Sequence, residues 1–266
     1  MKYFSNPDNI SKISKLTVFT LVMAFLYIPL IILIVYSFND SKIVAGWKGF
    51  TFKYYAELFD SPDILSAFWN TMLIGILSTL ISTLLGVITA IALENKKFTG
   101  KKFLSGLVFL PLIMPDILMG VSLALLYNFL KSQTGMMTVL IAHVTFCISY
   151  TVVVVQSRLD GFDYTLEEAA MDLGANRWQI FFKVKLPLIM PGIIAAALLA
   201  FTLSIDDFII TFFTTGRGFN TLPIYVEGAI RRGTITTINA LSTLMIGFTF
   251  LFASLTKKFR RLILFS

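Results

Sequence analysis

Three aspartates, Asp116, Asp206 and Asp207, stand inside stretches that are otherwise apolar. A carboxylate at membrane depth costs about 2.5 to 3.5 kcal/mol on insertion scales, so each is expected to face a protein interior or a wet cavity rather than lipid. A cavity holding two or three carboxylates suits a linear polycation and repels an anion such as sulfate or molybdate. Ser204 offers a hydroxyl beside the pair, and Phe208, Phe212 and Tyr127 offer aromatic faces for cation–π contacts. The plainer alternative is that an Asp near a helix end bonds water or caps a broken turn, and Pro115 beside Asp116 frees backbone groups nearby. Asp206 and Asp207 point about 100° apart on a helix, so they do not face one cavity equally, and one of them is a candidate to pair across an interface. Covalent chemistry has less to build on. The single histidine, His143, and the single cysteine, Cys147, share one apolar stretch with no carboxylate at ligand spacing. An interhelical hydrogen bond suits His143 better than a metal, no metal site is expected, and one cysteine allows no intrachain disulfide.

These residues need elements to position them. The chain of 266 residues is 56% hydrophobic, with a mean hydropathy of +0.81, which places it in a bilayer. Windows of about 20 apolar residues, enough to cross about 30 Å of hydrocarbon, predict six transmembrane helices. They run from Leu16 to Phe38, Phe68 to Leu93, Phe103 to Leu130, Met137 to Gln156, Leu188 to Phe213 and Ile238 to Thr256. Counting about 1.5 Å per residue sets Asp116 about 20 Å and Asp206 about 27 Å from the cytoplasmic ends of their spans. An all-α membrane fold follows, since solidly apolar runs lack the alternation of a barrel. No flexible linker or internal repeat appears, so residues 1–266 read as a single transmembrane domain. Of the 22 Lys and Arg, 15 fall on the side of the termini, which makes that side cytoplasmic. The basic balance is thus a topology signal rather than a nucleic-acid footprint. In the second span Gly75, Ser78, Thr79, Ser82, Thr83 and Gly86 recur at close-packing intervals.

Between the fourth and fifth spans lies a cytoplasmic loop, about residues 157–187, with the pattern of a helix-turn-helix. Thr165 with Glu168 reads as a capping box that starts a helix near Leu166, and Leu166, Ala169, Ala170 and Leu173 form its apolar face. Gly174 is placed for a left-handed stop, Asn176 with Gln179 for a second cap, and Pro187 and Pro191 for a break at the membrane entrance. The plain alternative for two short amphipathic helices is to lie on lipid, but the first has an acidic polar face, which favours a protein partner.

This loop resembles the E-A-A-x(3)-G-x(9)-I-x-L-P motif of type I ATP-binding-cassette (ABC) importer permeases, carried here by Glu168, Ala169, Ala170, Gly174, Leu186 and Pro187, with Val184 in place of Ile. The resemblance narrows with "SFND", "WKGFT", "PLIMPDILMGVSL", "AHVTFCISY" and "FTLSIDDFIITFFTTG" to the PotC-type permeases of spermidine/putrescine import. It implies the type I permease fold in the plasma (inner) membrane, with the loop as the coupling segment that docks into the ATPase. It also implies a PotB-type second permease, two PotA-type ATPase subunits carrying ATP and Mg, a PotD-type extracytoplasmic binding protein, and transport by alternating access. Trp47, within "WKGFT", is a candidate outer contact for incoming substrate. The chain has no G-x(4)-G-K-[ST] phosphate loop: "FTGKK" has Asn95 where the first Gly belongs, so no cofactor is expected in this chain. A related importer for another small solute, a secondary transporter and a membrane-embedded enzyme are the competing readings, the last lacking a nucleophile–base constellation. If both termini are cytoplasmic, a cysteine at Lys97 or Lys258 is shielded from an impermeant thiol reagent in intact cells while one at Lys53 or Arg217 reacts; the opposite labelling reverses the orientation.

Overall fold

The computed structural model describes residues 7–41, 46–94, 98–233 and 236–248. Apart from an isolated antiparallel bridge between Asn39 and Phe50, the regular elements among them are helical. In chain order they are α1 (Pro7–Tyr36), α2 (Lys53–Asp60), α3 (Pro62–Glu94), α4 (Lys101–Ile113), α5 (Asp116–Phe129), α6 (Met136–Leu159), α7 (Thr165–Asp172), α8 (Arg177–Ile180), a π turn (Phe181–Lys185), α9 (Leu186–Asp206), α10 (Ile209–Thr214), α11 (Leu222–Arg231) and α12 (Thr236–Phe248). Among the described residues four helices are long and apolar enough to cross a membrane, and five if α4 with α5 counts as one span. Of the expected sixth span only α12 is described, and its end near Thr256 lies outside the described residues.

Two expected spans are broken. The third bends by 116° between α4 and α5. Met114 is extended (ψ 133°) because the Pro115 ring disfavours helical geometry in the residue before it, and Pro115 is extended too (ψ 138°). A depth counted along a straight helix therefore does not apply to Asp116. The fifth span starts earlier and stops earlier than expected: Arg177 to Asp206 is one continuous helical run, and the break falls at Asp207 (ψ 121°). Pro187 and Pro191 do not interrupt it. The π turn widens the ladder just before Pro187, with the Leu186 N–H donating to the Phe181 carbonyl five residues back.

The chain divides into two compact units, Met1–Leu65 with Val226–Ser266, and Ser66–Tyr225. In the first, the Asn39 amide donates to the Gly46 carbonyl (2.8 Å) and accepts from the Lys48 N–H (2.8 Å), so one buried side chain clasps both flanks of Trp47. Ser37 bonds Tyr55 at 2.6 Å, and Phe38 stacks on Phe50 and Tyr55 while Phe52 meets it edge-on.

In the second unit α6 is the central post. Its buried positions, Val139, Ala142, His143, Phe146, Cys147, Val152, Val155 and Leu159, are spread around the helix, so other helices cover it on several sides. One end of the core joins Ala90, Leu93, Val108, Val152, Val155, Leu159, Ile189 and Ala196, and another joins Met119, Ala142, Phe146, Cys147, Ala200 and Ile210. The small residues of α3 are used inside the chain. A Cβ on Gly75 would meet Ile205 and Phe201 of α9, and one on Gly86 would stand 2.5 Å from the Thr151 methyl on α6. Gly86→Val should therefore destabilise by about 1 to 3 kcal/mol through overpacking. Gly106→Ala, with nothing within 4 Å of the new carbon, should be neutral or better. Thermal unfolding in detergent compares the two, and equal midpoints would refute the close α3–α6 crossing.

Candidate substrate-pathway and coupling sites

The break between α9 and α10 is built from side chains. Asp207 caps α10: its carboxylate accepts from the Thr211 N–H (2.8 Å), the Thr211 hydroxyl (2.7 Å) and the Ile210 N–H (3.2 Å). These satisfy donors that a helix start leaves open. His143 reaches in from α6, with Nε2 2.8 Å from the Thr211 hydroxyl and 3.4 Å from Asp207, and Nδ1 2.7 Å from Ser204. Because a carboxylate only accepts, Thr211 donates to Asp207 and His143 Nε2–H donates to Thr211. In the neutral imidazole Nδ1 then accepts from Ser204, whose oxygen lies 2.8 Å from Ser78 on α3. One imidazole thus joins α6 to the helix before the break and the helix after it, while Ser204 extends the network to α3.

The expected pathway residues separate on this basis. Asp207 pairs within its own chain, and its side chain is 10% exposed. Ser204 is buried at 3%. Asp206, the last residue of α9, is exposed, and so is Asp116, the first of α5. A Cβ on Gly120 would meet Phe213 and Ile210 of α10, while the Tyr127 hydroxyl donates to the Thr138 carbonyl and Thr138 bonds the Thr214 carbonyl. α5 and α10 therefore pack against each other; Asp116 opens α5, and Asp206 stands three residues before α10 begins. Tyr127 is buried and bonded, which removes it from the aromatic contacts expected for substrate. Phe212 is exposed and packs on Phe208 at 5.5 Å, and both remain available. Trp47 is 53% exposed. A cavity of about 430 Å³ opens beside Ala124, Asn128, Lys131, Ser132, Thr134 and Phe213, but its one charged side chain is a lysine, the wrong sign for a polycation. Among the described residues no group of three His, Cys, Asp or Glu is placed to hold a metal.

The loop between α6 and α9 has the expected helix-turn-helix form, with one change in its capping. Thr165 is not the cap. Its N–H (3.0 Å) and hydroxyl (2.8 Å) both donate to Asp163, two residues earlier. The hydroxyl bond first, then the backbone bond, hold the exposed Asp163 carboxyl below its usual range. Gly174 is left-handed (φ +82°), its N–H bonding the Met171 carbonyl while the Ala175 N–H bonds that of Ala170. This paired pattern is a Schellman motif, and it explains why Ala170 and Gly174 stand four apart. Asn176 and Gln179 cap each other reciprocally at 2.8 and 2.9 Å. Leu173 (90%), Trp178 (73%) and Met171 (52%) remain exposed, and Trp178 stacks on Phe182. Glu168 and Ala169 are exposed on α7, while Leu186 and Pro187 open α9.

Helical spans, an interrupted α9–α10 pair and a capped helix-turn-helix loop define a permease of the type I ABC importer fold. Residues 82–263 match the family described as binding-protein-dependent transport system inner membrane component, and the chain belongs to that family. It is a transport subunit rather than an enzyme. The chain is 42% identical over 227 residues to the spermidine/putrescine transport system permease protein PotC of Escherichia coli, covering 85% of this chain and 86% of the relative. It is 41% identical over 240 residues to the putrescine transport system permease protein PotI of the same organism, covering 88% and 85%. The fold resembles a chain of a bacterial ABC transporter involved in the import of the acidic polysaccharide alginate, with TM-score 0.74 at 17% identity over 97% of this chain and 99% of that one.

If His143 seals the break, His143→Leu leaves Ser204 and Thr211 each short of a buried partner and should cost about 1 to 3 kcal/mol. His143→Gln, which keeps a donor for Thr211, should cost less. Thermal unfolding of the assembled complex measures both, and a Leu variant as stable as the parent would dismiss the seal.

Proposed function

We propose that this chain forms half of the transmembrane pathway of an importer for polyamines, spermidine or putrescine, with both termini in the cytoplasm. The carrying observation is an exposed carboxylate, Asp206, at the C-terminal end of α9, with a second exposed carboxylate, Asp116, at the start of α5. The end of a helix carries a partial negative charge from its free carbonyls, so α9 adds to the field of Asp206 and favours an ammonium group. The names of the PotC and PotI relatives point to the same class of substrate. Phe208 and Phe212 supply aromatic faces next to Asp206, and Trp47 is an outer contact for incoming substrate. Asp207 and Ser204 serve the pathway by holding its shape.

The partners are a second permease, two ATPase subunits that bind ATP and Mg, and an extracytoplasmic binding protein, of the PotB, PotA and PotD types. Glu168, Ala169, Ala170, Gly174, Leu186 and Pro187 belong to the coupling loop. Closure of the ATPase dimer moves this loop, and the loop moves α6 and α9, so the cavity opens on alternate sides.

Uptake of labelled spermidine by the reconstituted complex, with putrescine, ornithine and inorganic ions as competitors, tests the substrate. Asp206→Asn should lower transport efficiency about tenfold, since charge-assisted bonds contribute about 1.5 to 3 kcal/mol against about 0.5 to 1.5 for neutral ones. Asp116→Asn should act in the same direction. Asp207→Asn should lower stability more than substrate affinity. Normal uptake by the Asp206 and Asp116 variants at subsaturating substrate would reject the carboxylate pathway, and absence of competition by any polyamine would reject the substrate class.

A further inference from the structure

Lys185 ends the π turn, and by sequence it is one of the basic residues that mark the cytoplasmic side. Its side chain is nevertheless only 11% exposed. The ammonium lies 2.7 Å from both oxygens of Glu94, the last residue of α3, and 3.2 Å from Glu167 on α7. It also sits 5.4 Å above the Phe162 ring and 5.6 Å above the Tyr164 ring, in the connection between α6 and α7. The Tyr164 hydroxyl donates to Glu94 at 2.6 Å, and that bond, with burial and the nearby carboxylates, pushes the phenol up to about 12. The Glu167 contact is an ion pair without hydrogen-bond alignment.

We propose that Glu94 and Lys185 form a strut between α3 and the coupling loop, so that motion of the loop reaches three transmembrane helices rather than only the two it joins covalently. The inference rests on the reading that this loop docks the ATPase. Three features carry it. A carboxylate at the C-terminus of a helix is opposed by the helix dipole, so Glu94 needs a cation to stand where it does. The ammonium is shielded from water by two aromatic rings, and an ion pair in such a site is weakened less by salt than a surface pair. The contacts meet at one atom from α3, α7, the end of the π turn and the α6–α7 connection, so displacing α7 pulls on Glu94 through Lys185. Without Lys185, Glu94 and Glu167 would face each other as uncompensated like charges. Lys185 and Glu94 are positioning residues: neither touches substrate or nucleotide in this account.

The test uses the complete complex in proteoliposomes with its binding protein and spermidine, reading substrate transported per ATP hydrolysed. Glu94→Gln and Lys185→Met should each lower that ratio by about fivefold or more, the lower range of a site-to-site coupling. The exchanged pair, Glu94→Lys with Lys185→Glu, keeps the charge count and should recover part of the loss, which a residue needed only for folding would not do. An unchanged ratio in both single variants overturns the strut. If Lys185→Met does not assemble, the exchanged pair decides: a ratio above that of Glu94→Gln supports the strut, and an equal or lower one overturns it. Gly174→Val separates the two readings, because it reshapes the loop turn without touching the ion cluster. If it keeps normal ATPase association and transport, the docking reading fails. If it loses them while Glu94→Gln and Lys185→Met transport normally per ATP, the strut alone fails.

Discussion

A helix that breaks inside a membrane must find partners for the backbone groups it frees, because hydrocarbon supplies none. At the α9–α10 break the Asp207 carboxylate takes up the N–H groups that start α10, and His143 joins that cap to Ser204 on the preceding helix. Much of the second unit depends on this arrangement. α6 is held to both sides of the break, Ser78 brings in α3, and the break is sealed by side chains of this one chain. With Asp207 committed to the cap, its neighbour Asp206 is the carboxylate left exposed at the end of α9.

The loop between α6 and α9 meets the same need by local means. Asp163, Gly174 and Asn176 each end or begin a helix through bonds to residues within a few positions. Such caps hold their shape without help from the rest of the chain. That leaves Leu173, Trp178 and Met171 uncovered while the loop stays ordered. The Lys185 cluster is different in kind, since its partners are 18 and 91 positions away along the chain, and it fixes where the loop sits against α3.

Local chemistry was legible wherever sequence neighbours supply both partners. The Asn176–Gln179 box and the left-handed Gly174 followed from spacing alone, and the helical character of the apolar runs followed from length and hydropathy. The oxygen at the start of α7 belongs to Asp163, two residues before the expected Thr165, because both residues offer capping oxygens and only geometry shows that Thr165 gives its proton away. The prolines misled in both directions. Pro187 reads as a breaker but sits after a π turn that accommodates it, whereas the true break at Asp207 has no proline and is made by a side chain competing for backbone donors.

Membership of the membrane, the run of helices, the form of the loop between α6 and α9 and the presence of a few costly carboxylates were determined by the sequence itself. They depend on composition and on contacts within a turn or two. Which carboxylate is buried and which exposed was decided by tertiary structure, as were the role of His143 and the burial of Lys185. Each of these rests on a partner dozens of positions away. Adjacent aspartates carry the same side chain, and it is the cap to Ile210 and Thr211 together with the imidazole brought in from α6 that sets Asp207 apart.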